Sequence, residues 1–219
     1  MNRREMLSAI AGFAASTVGV AHGTPLQSDG TRPAIFDPRS FGAVGDGRTK
    51  DTSSEQRAID ACTAAGGGIV YLGPGTYLCG TVVLKSNVTL YLEAGATLLG
   101  SGDINDYQPR HLIYASGAEN VGLAGPGKID GHGSAFWARV DRPPVPEDKL
   151  WSDAVHLDWT HTPKHPSPMV EFESCTDVRI TDVFLCNAPA WTLRPFNCDR
   201  VQIRGIVIKN PVYSPNSDG

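Results

Sequence analysis

The chain has 219 residues, enough to bury a substantial core in one or two domains. Its 24 glycines and 16 prolines, with only 8% aromatic residues, favour a turn-rich, strand-dominated protein over a helical bundle. A formal net charge of −4 argues against a nucleic-acid binder, which would carry a basic excess or stripe.

Residues 1–23 read as an export signal, with Arg3-Arg4 as a basic start, an apolar stretch from Met6 to Ala21, and small residues around Ala21-His22-Gly23. The opening "NRREML" resembles a twin-arginine export motif, with an ordinary secretory signal as the alternative. Either way the expected destination is the periplasm or the exterior. Ser8, Gly12, Ser16, Thr17 and Gly19 dilute the apolar stretch and make it a poor membrane anchor. No later stretch is long and apolar enough to span a membrane.

From Ile35 to Ser40 an opening strand is expected, followed by a glycine-rich turn, "FGAVGDGRTKDT". Thr52-Ser53-Ser54-Glu55 fits a capping box, in which Glu55 would reach back to the start of the helix. That helix would present Ala58, Ile59, Cys62 and Ala65 on one side, stop at Gly66-Gly67-Gly68, and plug the open end of a stack of strands. In "GIVYLGPGTYLCGTVVLKSNVTLYLEAGATLLGS", short runs of Val, Leu, Tyr and Thr alternate with Gly-Pro-Gly, Lys-Ser-Asn and Glu-Ala-Gly, which are strand-and-turn signals.

An internal repeat fixes the architecture. "CTDVRITDVFLCN" at Cys175 to Asn187 aligns without gaps on "CDRVQIRGIVIKN" at Cys198 to Asn210, an offset of 23 residues. "NVGLAGPGKIDG" at Asn120 to Gly131 shares the strand-turn-strand rhythm. A helix-free unit of this length is one coil of a parallel β-helix, whose apolar face is buried only by stacking on its neighbours. The expected fold is therefore all-β: a right-handed parallel β-helix over 24–219 with a short N-terminal capping helix. Cys175 and Cys198 become stacked neighbours, able to remain thiols or to bond, and Asn187 and Asn210 an asparagine step. With Cys62, Cys79 and Cys186 they make an odd set without CxxC spacing, so buried thiols with room for one disulfide are expected, and no zinc site. The stretch from about 132 to 168, rich in Pro, His and Trp, is too long for a coil and reads as a large loop, either lining a groove or simply solvated.

No nucleophile elbow, P-loop or HExxH motif is present. His132, between two glycines, reads as structural, and His161 and His165, four apart, are kept out of a helix by Pro163 and Pro166. A β-helix with a cleft and aromatic loops suits carbohydrate chemistry, and glycoside hydrolysis needs two carboxyl functions about the scissile bond. Asp218 lies 15 residues after Ile203, where another coil should begin.

The segment "NAPAWTLRPFNCDRVQIRGIVIKNPVYSPNSDG" resembles glycoside hydrolase family 28, the polygalacturonases and their relatives. There a stretch of the type N-P-x-W-T-x-H-P leads through one coil to N-T-D-G. "FGAVGDGRTKDTSSEQRAIDAC", "IDGHGSAFW" and "SPMVEFESCTDVRI" agree, so the resemblance runs over about 35–219. It implies that Asp218 is the first of three catalytic aspartates and helps activate water for inverting hydrolysis of a pectic polysaccharide or oligogalacturonide. It implies that Asn216 shapes the motif turn or touches substrate. Trp191 would be a sugar-stacking platform or a packed aromatic. Arg194 stands where His is usual, and would be a partner for a uronate carboxylate or a surface cation on a turn. The family's Asp-Asp pair with its general acid, its downstream Gly-His-Gly and its Arg-Ile-Lys follow the motif and are not in this chain. The expectation is thus a C-terminally incomplete β-helix, inactive by itself and monomeric when complete, needing no cofactor and no metal. A non-catalytic polysaccharide-binding β-helix is the alternative from another class. A calcium-dependent pectate lyase would need an acidic cluster and an arginine base on a middle coil, and neither is found.

Overall fold

A computed structural model describes residues 33–140, 159–215 and 218. The expected export segment, the middle of the long loop (141–158) and Asn216 lie outside the described residues. The remainder is a right-handed parallel β-helix with three sheets. Each coil visits the sheets in the same order. The first complete coil runs Gly68–Leu72, Gly75–Cys79 and Val82–Val83; the second, Val88–Leu92, Ala96–Gly100 and Ile113–Ser116. The third runs Glu119–Ala124, Lys128–Asp130 and Val170–Glu173; the fourth, Thr176–Thr181, Phe184–Cys186 and Leu193–Phe196. Asp199–Arg204 and Val207–Lys209 then extend the first two sheets.

The 23-residue repeat is the hydrogen-bond register itself. Val178 pairs with Val201, Ile180 with Ile203 and Leu185 with Ile208. The earlier echo is also real, with Val121 opposite Val178, Leu123 opposite Ile180 and Ile129 opposite Leu185. Inward positions form apolar ladders along the axis. Leu90, Leu123 and Ile180 form one and Leu98, Ile129 and Leu185 another, all at most 1% exposed. Each such side chain contributes roughly 1.5–3 kcal/mol by burial. Asparagines mark the turns: Asn87 and Asn120 bond side chain to side chain at 3.1 Å. Asn187 precedes Ala188, whose N–H donates to Asn210 Oδ1 at 2.9 Å. Asn187 takes a left-handed φ of 50° and donates to both carboxylate oxygens of Asp130 at 3.0 Å, while Asn210 donates to Thr192 Oγ1 at 2.8 Å. All five cysteines are thiols; Cys175 donates to the Glu173 carbonyl and Cys198 to that of Phe172.

The N-terminal region differs from its sequence reading in three ways. The opening strand is only Ile35–Phe36, because Pro38 starts a 3-10 turn over Pro38–Phe41 that Gly42 closes at φ 97°. The glycine-rich "turn" contains a strand, Asp46–Lys50, paired to the first coil. The capping box does not form. The helix, Thr52–Ala64, follows an Asp51 whose carboxylate is taken by the backbone N–H groups of Val44 (2.7 Å) and Gly45 (3.0 Å). Thr52 Oγ1 instead accepts from Gly80 N at 2.9 Å.

Glu55 shares the buried stripe of Ala58, Ile59 and Cys62, the i, i+3, i+4, i+7 face that packs on the coil. Ala65 is exposed at the C-cap and does not join it. Neither carboxyl oxygen of Glu55 has a hydrogen-bond partner among the described residues, and the side chain is fully buried. Burial, with repulsion from Asp51 and then Asp37, pushes its carboxyl up to about 8.

Two outcomes follow from this packing. Leu123→Ala, in the middle of a ladder, should cost about 2–5 kcal/mol in a denaturant titration. The folded state holds the Glu55 proton more tightly than the unfolded state. Stability should therefore be fullest below the ordinary carboxyl value of 4.5 and fall as pH rises from there through about 8. Glu55→Gln should flatten that decline in thermal melts run across this pH window.

Candidate functional site

The site is built where the chain passes from the second sheet to the third. In the fourth coil this passage is Asn187 to Thr192, ahead of the strand Leu193–Phe196. Ala188, Ala190 and Thr192 turn inward and are buried, which leaves Trp191 facing out at 43% exposure. The passage is fastened to the coil beneath. Trp137 Nε1 donates to the Pro189 carbonyl at 2.7 Å, Met169 N to Trp191 O at 2.8 Å and Val170 N to Thr192 O at 2.9 Å. Glycine is required below it. A Cβ on Gly131 would lie 2.5 Å from Met169 Sδ, and one on Gly133 would lie 2.6 Å from the Ala188 carbonyl. His132, between them, is held by the Gly100 carbonyl at 3.1 Å, a structural role.

Asp218 continues the same ladder. Its carbonyl accepts from Thr192 N at 2.7 Å, one step beyond the Val170–Thr192 bond. The residue thus sits beside Trp191 at the start of the next rung of the third sheet, and it is exposed. The segment leading to it is fixed from the side. Trp137–Arg139 and Trp159–His161 form an antiparallel pair standing off the coil. Tyr213 packs edge-on to Trp137 (6.0 Å between ring centroids), and His161 Nε2 lies 2.7 Å from the Pro215 carbonyl. That carbonyl accepts, so Nε2 carries the hydrogen.

An open cleft of about 240 Å³ lies here, lined by His161, His165, Ser167, Pro168, Ala190, Trp191 and Arg194. The rings of His161 and His165 stack at 4.4 Å. Arg194 lies on the strand Leu193–Phe196, not on a turn as its sequence context suggests, because its register partner in the third coil is Glu171. Its Nε and Nη2 donate to Glu171 Oε1 at 3.1 and 2.5 Å. Its guanidinium lies 5.8 Å from the Trp191 ring and 5.1 Å from the Phe196 ring. Three sequence candidates, Asp218, Trp191 and Arg194, are thus drawn to one end of the third sheet. The sequence reading missed Glu171, His161 and His165. Adding the repeat length of 23 to 171 gives 194, and that signal alone would have paired Glu171 with Arg194. Among the described residues no group of three His, Cys, Asp or Glu side chains could hold a metal ion.

Against known proteins, the model of the glycosyl hydrolases family 28 matches residues 70–219. A Vitis vinifera protein bearing the name "Probable polygalacturonase" is 31% identical over 202 residues, covering 82% of this chain and 38% of that protein. The structure of a hyperthermoactive exopolygalacturonase from Thermotoga maritima superposes with a TM-score of 0.68 at 27% identity, covering 85% of this chain and 48% of that one. A family 28 exopolygalacturonase from Yersinia enterocolitica gives 0.67 at 25%, covering 85% and 40%. The chain spans less than half the length of each of these three relatives.

The side wall of the cleft should be acid-sensitive. Burial lowers the pKa of His161, the Pro215 carbonyl opposes that, and His165 adds to it. The folded state therefore favours the neutral ring. Its contribution should be complete above the ordinary value of 6.5 and be lost as pH falls below it. His161→Gln should reduce that acid-side loss, read by thermal melts with Trp fluorescence.

Proposed function

The chain belongs to the glycosyl hydrolases of family 28, and on that premise we propose that the protein carrying it hydrolyses pectic polysaccharide, in the first instance galacturonan. The observation that carries this reading is the Thr192–Asp218 ladder bond, which seats Asp218 against the residue that follows Trp191, an exposed tryptophan lining the cleft. Inverting hydrolysis uses one carboxylate to activate water on one face of the sugar while another carboxyl protonates the leaving oxygen on the other. Asp218 takes the water-activating role. Its main chain is tied down by Thr192 N, and the residue is exposed. The second carboxyl is not assigned within this chain.

Trp191 supplies a flat apolar face for a pyranose ring, and Arg194 a cation within reach of a sugar carboxylate. Asn216 is assigned to substrate binding in this reading. The protein is exported, in keeping with a polymeric substrate that stays outside cells. It acts as a monomer without cofactor, and no helix among the described residues is long and apolar enough to cross a membrane.

The assay is release of reducing ends from polygalacturonate, followed beside absorbance from unsaturated products. Hydrolysis should raise the first without the second, whereas elimination would raise both. Asp218→Asn should lower the rate by about 10²–10⁴-fold, the usual range for removing an acid–base participant. Retained binding of oligogalacturonate by this variant would confirm that the loss is chemical. Undiminished hydrolysis would remove Asp218 from the mechanism.

A further inference from the structure

We propose that buried Glu171 is a positioning residue that presents the guanidinium of Arg194 to the cleft, and that the pair selects sugars carrying a carboxylate over neutral ones. The selection of an acidic pectic sugar rests on the function proposed above; the positioning rests on geometry alone.

Strand alternation puts Val170 and Phe172 in the core and turns Glu171 outward. An outward residue on a solenoid strand is ordinarily wet, yet Glu171 is only 3% exposed. It is covered because neighbouring coils close over it. Arg194 Nε and Nη2 take Oε1, and His111 Nε2 stands 3.1 Å from Oε2. His111 is fixed in turn. Its Nδ1 lies 2.8 Å from the Pro168 carbonyl, and its ring stacks on Tyr114 at 5.1 Å. The Tyr114 hydroxyl donates to Glu173 Oε2 at 2.5 Å. Tyr114, Glu171 and Arg194 are register partners on three successive coils. The column therefore runs from a tyrosine, through a buried carboxylate, to a half-exposed arginine at the cleft.

Burying a carboxylate is costly unless both oxygens are partnered, and this carboxylate has a cation-capable group on each. What the arrangement secures is the direction of the arginine. Glu171 engages one edge of the guanidinium and uses two of its five N–H hydrogens, leaving three for another acceptor. The side-chain freedom a loose arginine would lose on binding is already restricted. The ionisable side chains lining the cleft are Arg194, His161 and His165. The guanidinium hydrogens not used by Glu171 form the donor set there, and a planar carboxylate matches that fork better than a neutral ester does. Trp191, on the same side of Arg194, offers the stacking face for the ring that bears it.

The test is calorimetric titration of the chain with a short oligogalacturonate, its methyl ester, and an oligomannuronate. The expected preference for acid over methyl ester is about tenfold or more, the usual worth of a charge-assisted hydrogen bond. In Arg194→Gln the acid-to-ester ratio should fall to about one. In Glu171→Gln, with Arg194 intact, it should fall several-fold, and Arg194→Lys should recover only part of it because an ammonium lacks the fork. The ratio is the decisive readout, since a merely structural role would weaken acid and ester alike. An unchanged ratio in Arg194→Gln, or an equal loss for both ligands in Glu171→Gln, overturns the proposal and leaves the pectic reading standing. Arg194-dependent binding of oligomannuronate without oligogalacturonate upholds the carboxylate device and overturns the pectic reading. Binding of none of the three overturns both.

Discussion

Everything in this molecule hangs on the in-register stacking of one coil on the next. A single coil cannot bury its inward Leu, Ile and Val side chains. Stacked, each inward position meets its equivalent above and below, and the ladders Leu90–Leu123–Ile180 and Leu98–Ile129–Leu185 become dry. Because the strand period is two, fixing the inward ladder also fixes every outward column. A slip of one residue would expose the core and would also separate Glu171 from Arg194. Stability and site geometry therefore share one constraint.

The outward columns show what that constraint can build. Asp177 and Arg200, offset by the same 23 residues, form an exposed pair at 2.8 Å, of the kind that adds little stability. Glu171 and Arg194 use the same offset at a place where loops close over the carboxylate. There the pair gains burial, a histidine partner and a cleft. The difference lies in the neighbourhood, chiefly His111, Pro168 and Trp191, and not in the spacing. The antiparallel pair Trp137–Arg139 and Trp159–His161 completes this neighbourhood by holding the 211–215 segment, and with it the approach to Asp218.

The architecture was legible in the sequence because the repeat is a direct record of the register. Val178/Val201 and Ile180/Ile203 could be paired by counting. That another coil begins near Asp218 could be expected by counting on from Ile203, but its bond to Thr192 N, at an offset of 26 and not 23, could not. What could not be read locally was decided by tertiary competition. Thr52 and Glu55 have the spacing of a capping box, but Gly80 N claims the threonine hydroxyl and the helix's apolar stripe draws Glu55 inside. Arg194 looks like a turn cation between Trp and Pro until the coil beneath supplies Glu171. His161 and His165 were weighed only as metal ligands, whereas the structure uses them as a stacked wall. Thr52 and Glu55 were decided by contacts that local spacing does not show, whereas the Glu171–Arg194 pair sits at the repeat offset and was open to counting.

The most direct test of the account is a crystal structure of the protein with an oligogalacturonate bound. The account predicts a pyranose ring against the face of Trp191, its carboxylate paired with the guanidinium of Arg194 while Glu171 keeps its hold, and the Asp218 side chain on the same side of the third sheet. A sugar bound on another sheet, or bound here with Arg194 swung away from both Glu171 and the ligand, would contradict it.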